Sequence, residues 1–348
     1  MLKQIQTQRQ LQGAPDKLDK FIGELSDLLL EHDIMEGDKK TIKENFKATM
    51  FKPAEDESDL PGLPDNEGKL PLIINFEENG DSEHAMIARL SSPCASLTIN
   101  SFPYNTSEDF QRSLIALMHS YEEKGISFVL NISSGRATEE HALNIEAGDN
   151  TIDMVNRVYQ NKIQYGDLLY DEKDGDNFEF FGLLSSAGFI TTVSSGNSDN
   201  DFPHPDRMAD SGFCYTVGES FSDVLVQDHS EDGVLCVLQN RDHKQLKGEE
   251  GTSFTSPRLA GIIAELIVAG FTETEAIAMI RCASSHEGVW QQHPEGDNYS
   301  LSDRGNYSSE AGYGVLSLKK LNELAVEMLP LIAERSQSPD IEDINCTL

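Results

Sequence analysis

At 348 residues the chain is long enough for one large domain with a sizeable core and an appendage. Its 60 acidic side chains against 27 basic ones leave a formal net charge of -33, which argues against nucleic acid or an anionic membrane as partner, because both reward cationic surfaces. Met1–Gln12 lacks the apolar centre of a secretory signal and no stretch is long enough to span a bilayer, so a cytoplasmic location is expected.

In chain order, the spacing of Leu18, Phe21, Ile22, Leu25, Leu28 and Leu29 predicts a helix, and a second is expected over Lys39–Met50. Together they define a helical N-terminal region, 1–51. Lys52–Lys69 is rich in Pro, Gly and acidic residues, with Pro53, Pro61 and Pro64 breaking any regular element, and reads as a linker over 52–69. Beyond it, Leu72–Phe76, Ser96–Phe102, Phe128–Ile132, Phe189–Val193, Phe213–Val217 and Val234–Leu238 have the composition of strands. Helical patterns over Phe110–Tyr121 and Phe180–Ala187 fall between some of them. Strands interleaved with helices and apolar on both faces predict a parallel sheet in an α/β domain, here 70–330, with sites at the carboxyl ends of the strands. An acidic insertion at about 136–177, with one helix near Ile152–Gln164, interrupts the rhythm, and 331–348 is a C-terminal tail. Cys94, Cys214, Cys236, Cys282 and Cys346 form no CxxC pair, so neither a disulfide framework nor a zinc site is expected.

Three places carry chemistry. Gly251-Thr252-Ser253-Phe254-Thr255-Ser256-Pro257-Arg258-Leu259-Ala260-Gly261 runs into the apolar stretch Ile262–Ala269, so Ser253 stands at the mouth of an enclosed helix, where it feels the positive helix end. Thr252 or Ser253 is equally suited to capping that helix, and Gly251 supplies an unusual backbone angle before the serine. Two strand ends, Ser133-Ser134-Gly135 and Ser194-Ser195-Gly196-Asn197, are small and polar and leave room for an extended peptide. Asn197 offers an amide donor for an oxyanion or a turn residue in Gly-Asn-Ser-Asp. His84, near the first turn of a helix capped by Asp81 or Ser82, follows the first strand, where a general base is wanted.

On these residues the chain resembles the subtilisin-like serine proteases, the subtilases. Gly251–Gly261 is similar to their nucleophile signature, Val193–Asn197 to their oxyanion-asparagine strand end, and Val129–Gly135 to the strand that lines their cleft. Phe271–Ala283 and Gly312-Tyr313-Gly314-Val315-Leu316 resemble the family's closing helix and Gly-x-Gly segment, and the resemblance runs from about Leu70 to Leu329. It implies a subtilisin-like three-layer α/β fold with a mainly parallel central sheet and a serine endopeptidase acting on a protein or peptide substrate. No cofactor is expected, and although calcium often accompanies the family and Asp199-Asn200-Asp201 has ligand-type side chains, a single short acidic loop reads as a solvated turn and no metal is expected. Ser253 would be the nucleophile, His84 the base and Asn197 the oxyanion donor, with Ser133, Ser134, Gly135, Ser194, Ser195 and Gly196 against substrate.

The chain departs from the family's pattern in two ways. His84 is followed by Ala85 and Met86 in place of His-Gly-Thr-His, and the first strand lacks the family's terminal aspartate. Three residues compete for that role. Since Pro71 is tolerated at a strand's first position and not within a central strand, the strand is expected to start at Leu72, which makes Glu77 the carboxylate at its far end. Asn75 fits a hydrophobic alignment equally well, and Asp81 is close to His84 in sequence. These departures support an alternative, a catalytically impaired protease fold that binds peptides without cutting them. The N-terminal helices are open to roles as an inhibitory segment, a targeting element or a docking module.

Overall fold

The computed structural model describes residues 2–35, 37–50, 58–64, 69–77, 83–100, 106–133, 180, 182–195, 214–222, 225–226, 234–239, 251–291, 299–300, 307 and 311–337. The elements are helices α1 (Leu2–Glu31) and α2 (Lys39–Thr49), strand β1 (Leu70–Phe76), α3 (Glu83–Ser91), β2 (Ala95–Ile99), α4 (Glu108–Glu122) and β3 (Ile126–Ile132). There follow β4 (Ile190–Ser194), β5 (Tyr215–Ser222), β6 (Leu225–Val226), β7 (Val234–Gln239), α5 (Thr252–Val268), α6 (Glu273–Ala283), β8 (Ser284–Ser285), β9 (Trp290–Gln291), β10 (Tyr299–Ser300), β11 (Val315–Leu316) and α7 (Leu318–Gln337). The acidic insertion, with its expected helix, lies outside the described residues.

Strands β2, β1, β3, β4, β5 and β7 stand side by side, all parallel. Short strands extend this sheet: β6 pairs antiparallel with β5 and parallel with β9, and β11 joins β7. The period-2 alternation of a strand assigns each side chain to a layer. Leu72, Ile74 and Phe76 of β1 and Phe128, Leu130 and Ile132 of β3 share one core cluster with Phe21, Leu25 and Leu29 of α1, Phe46 of α2 and Phe110 and Leu114 of α4. Ile73 and Val129 point the other way, into a second cluster with Leu259, Ile262, Ile263 and Leu266 of α5, Ile277 and Ile280 of α6 and Leu321 and Ala325 of α7. The result is the three-layer α/β architecture with a mainly parallel sheet that the sequence predicts, with the N-terminal helices forming part of one outer layer.

Two departures from expectation have local causes. β1 begins at Leu70, so Pro71 lies inside the strand, in register with Ser127 of β3. Leu70 N–H donates to Gly125 O on the β3 side. In a parallel strand the next residue faces the opposite neighbour, so the missing N–H of Pro71 faces the β2 side, where pairing starts only at Leu72 with Ala95. The linker is also tied down where it is described. Leu60 is buried in the α5-side core, Gly62 N–H donates to Asn322 Oδ1 at 2.9 Å, and Asp59 meets Arg258 of α5 in two hydrogen bonds of 2.8 and 2.9 Å.

α5 is buried along nearly its whole length, as its apolar run predicts. Gly261 lets it approach the turn before β2 closely, since a Cβ there would come within 2.3 Å of the Pro93 ring. Among the described residues no helix is long and apolar enough to cross a membrane.

Candidate active site

The strand order turns at β1, whose neighbours are β2 on one side and β3 on the other, and the chain leaves both faces of the sheet from this point. Such switch points open a crevice beyond the strands' carboxyl ends. The register places Phe76 beside Ile132 and Ile132 beside Val193, so the next residues, Glu77, Ser133 and Ser194, line up along one edge.

α5 starts at this edge. Gly251 is its N-cap, with φ 136° and ψ 146°, a conformation side chains resist, and it supplies no side-chain cap. The expected cap from Thr252 or Ser253 is therefore not made: both lie inside the first turn, where Phe254 N–H donates to Gly251 O at 3.0 Å. Ser253 is half-buried, and its Oγ donates to Ser133 O at 2.5 Å.

His84 is the second residue of α3, and its Nδ1 lies 3.2 Å from Glu77 Oε2. Its ring packs against Phe254, the residue after Ser253, with centroids 5.5 Å apart. Glu77 leaves the end of β1 with its N–H donating to Ile99 O at 3.1 Å, which fixes the backbone from which the carboxylate projects. The Glu77 side chain is only 5% exposed, and its Oε1 is buried with no hydrogen-bond partner among the described residues. The hydrogen bond to Glu77 raises the His84 pKa above its ordinary 6.5 and the carboxylate's charge adds to this, while burial works against it. With Nδ1 engaged by Glu77, Nε2 is the nitrogen left for proton transfer.

Asn75 does not face His84. It is fully buried two residues before Glu77, and its Oδ1 accepts from Asn131 Nδ2 at 2.8 Å. Asn131 in turn contacts Ser133, Thr192 and Ser256. This buried polar cluster under the site is absent from the sequence-based reading. Its signal was present: an asparagine interrupts each of the runs Leu72–Phe76 and Val129–Ile132, where strands disfavour it and burial demands partners. Ser194 and Ser195 are buried, and neither hydroxyl has a partner among the described residues. Asp81, Ser134, Gly135, Gly196, Asn197 and the Asp199–Asp201 loop lie outside the described residues.

No protein-family model matches the chain, and no curated protein matches it. Among solved structures it is similar to a lanthipeptide protease, at 11% identity and a TM-score of 0.39, over 77% of this chain and 84% of that one. It is also similar to the epidermin leader-peptide-processing serine protease of Staphylococcus aureus, at 11% identity and a TM-score of 0.42, over 79% and 83% of the two chains. These values are too low to assign a family. The subtilase membership read from Gly251–Gly261 is accordingly withdrawn: the motif finds no support in any family model, and neither similar structure is described as a subtilase.

Proposed function

We propose that the chain is a serine endopeptidase. One observation carries the reading: an imidazole oriented by a buried carboxylate packs against the residue that follows a helix-terminal serine, at the carboxyl edge of the parallel sheet. Nucleophile, base and orienting acid are the parts that acyl transfer through a serine requires, and they are recognised by geometry rather than by family.

In this mechanism the Ser253 hydroxyl turns from Ser133 O and attacks a peptide carbonyl carbon as His84 Nε2 takes its proton. Glu77 accepts from Nδ1–H and steadies the imidazolium. The oxyanion is held by the Ser253 backbone N–H and by the Asn197 amide. His84 then gives the proton to the departing amine, leaving an ester on Ser253. Water, deprotonated by the same imidazole, attacks that ester, releases the acid and restores the hydroxyl. The small residues at 133–135 and 194–196 leave room for the substrate chain.

A peptide-binding protein without hydrolytic power is favoured by one observation, the engagement of Ser253 Oγ with Ser133 O rather than with His84. A fluorophosphonate probe separates the two. The peptidase reading expects labelling of the wild type, hydrolysis of unstructured peptides, and loss of both in Ser253→Ala. Peptide binding with neither labelling nor hydrolysis would establish the binder.

A further inference from the structure

Asn131 has every hydrogen-bonding position of its amide filled in the interior of the protein. Nδ2 donates to Asn75 Oδ1 at 2.8 Å and to Ser133 Oγ at 2.6 Å. Oδ1 accepts from Ser256 Oγ at 2.6 Å and lies 3.2 Å from Thr192 Oγ1. An amide has two donors and two acceptor lone pairs, so no capacity is left over. The strand alternation that sends Val129 into the α5 layer sends Asn131 there too, and the side chain thereby ties β1, β3, β4 and α5 together at one point.

Two of these ties converge on Ser253. Ser256 lies one turn after it on α5, so the Asn131–Ser256 bond sets how deeply the first turn sits against the sheet. Ser133 supplies the carbonyl that receives the Ser253 hydroxyl, and the Asn131–Ser133 bond holds that segment at the end of β3. We propose that Asn131 is a positioning residue for Ser253, fixing the helix turn and the cleft strand relative to each other so that the hydroxyl is held within reach of the scissile carbonyl. This rests on the peptidase reading above.

The physical case is that the Asn131 amide is satisfied in this one arrangement and would lose buried bonds in any other, so it defines position more sharply than apolar contacts of similar area, even though Asn75 Nδ2 has no partner among the described residues. Misplacing a reacting group by about 1 Å costs up to about 10^2-fold in rate. Breaking one tie should therefore lower turnover by roughly ten- to a hundredfold with binding little changed.

The experiment measures kcat and KM of wild type, Ser256→Ala, Asn131→Ala and the double variant on one peptide, with kcat expressed per serine titrated by a fluorophosphonate. Ser256→Ala removes a single hydroxyl and favours the helix, so the test does not depend on Asn131→Ala folding. The expected result is about a tenfold or greater fall in kcat per titrated serine, a KM within about twofold, and a double variant no worse than Asn131→Ala alone. A loss confined to the titratable fraction, with kcat per titrated serine unchanged, would show a purely structural role and overturn the inference. A wild-type protein inert to both probe and peptide would instead overturn the peptidase reading and remove the basis of this one.

Discussion

Replacing Glu77 with glutamine tests the centre of the site with almost no change in volume. At 3.2 Å and an effective dielectric of about 20, an imidazolium at His84 and the Glu77 carboxylate attract by roughly 5 kcal/mol. The His84 side chain is 39% exposed, so solvent screening brings this to roughly 2–3 kcal/mol, about 10^2-fold in rate for a step that creates the imidazolium. The geometry around the second oxygen makes the amide worse. Glu77 Oε1 is buried with no partner among the described residues, so a glutamine that keeps its oxygen toward His84 strands its NH2 there, at about 1–3 kcal/mol. The flipped amide donates to Nδ1 and forces the proton onto Nε2, the wrong tautomer for a base. General serine-protease chemistry puts a carboxylate-to-amide exchange of that kind at about 10^4-fold.

Glu77→Gln should therefore lower kcat/KM by between about 10^2 and 10^4, measured on a chromogenic peptide from pH 5 to 9. The pH profile carries a separate sign. The base must be neutral, so wild-type activity rises as pH passes through the His84 pKa, which Glu77 holds above 6.5. Without the carboxylate that acid limb moves to lower pH even as the plateau falls. Linkage runs the same way: the His84–Glu77 pair contributes stability below the unfolded imidazole's pKa, and that contribution is lost as pH rises through the raised folded value. A variant within about threefold of wild type, with its acid limb unmoved, would show that Glu77 does not act through His84.

Two further expectations concern the surroundings. Asp59→Ala leaves the Arg258 guanidinium without its counter-charge and with the Gln239 carbonyl as its remaining partner among the described residues; the two side chains of the pair are each 10% exposed, and the loss should cost about 3 kcal/mol in urea unfolding, partly returned by adding Arg258→Met. A single variant as stable as wild type would contradict the pairing. Burial pushes the Cys236 thiol up to about 12, so in the native protein a disulfide reagent should modify the exposed Cys282 and leave Cys236 untouched until unfolding, as peptide mapping would reveal.

What the sequence made legible was local and periodic. The apolar runs at Leu72–Phe76 and Phe128–Ile132 carry their own strand signal, and the unbroken apolar stretch after Leu259 marks a helix enclosed by other layers. The order of strands and helices then leaves few topologies, and their carboxyl ends point to the crevice. What was not legible depends on partners far apart in the chain. Asp59 and Arg258 are separated by 199 positions, and nothing near either names the other. The Asn75–Asn131 pairing needs the register of β1 against β3, which no single segment contains. Pro71 was misjudged because a rule about central strands ignores where each neighbour begins. The Gly251–Gly261 motif fits a serine at a helix entrance without defining a family, because the backbone demands of that entrance are physical.

The placement of α1 and α2 bears on any attempt to shorten the protein. Phe21, Ile22, Leu25, Leu29 and Phe46 are almost wholly shielded from water, in the same cluster as the side chains of β1 and β3 that face away from α5. Cutting after residue 50 would bare an oily flank of the sheet on the side remote from Ser253. The expected product is a sticky, poorly soluble fragment, even though no group proposed for bond cleavage has been removed.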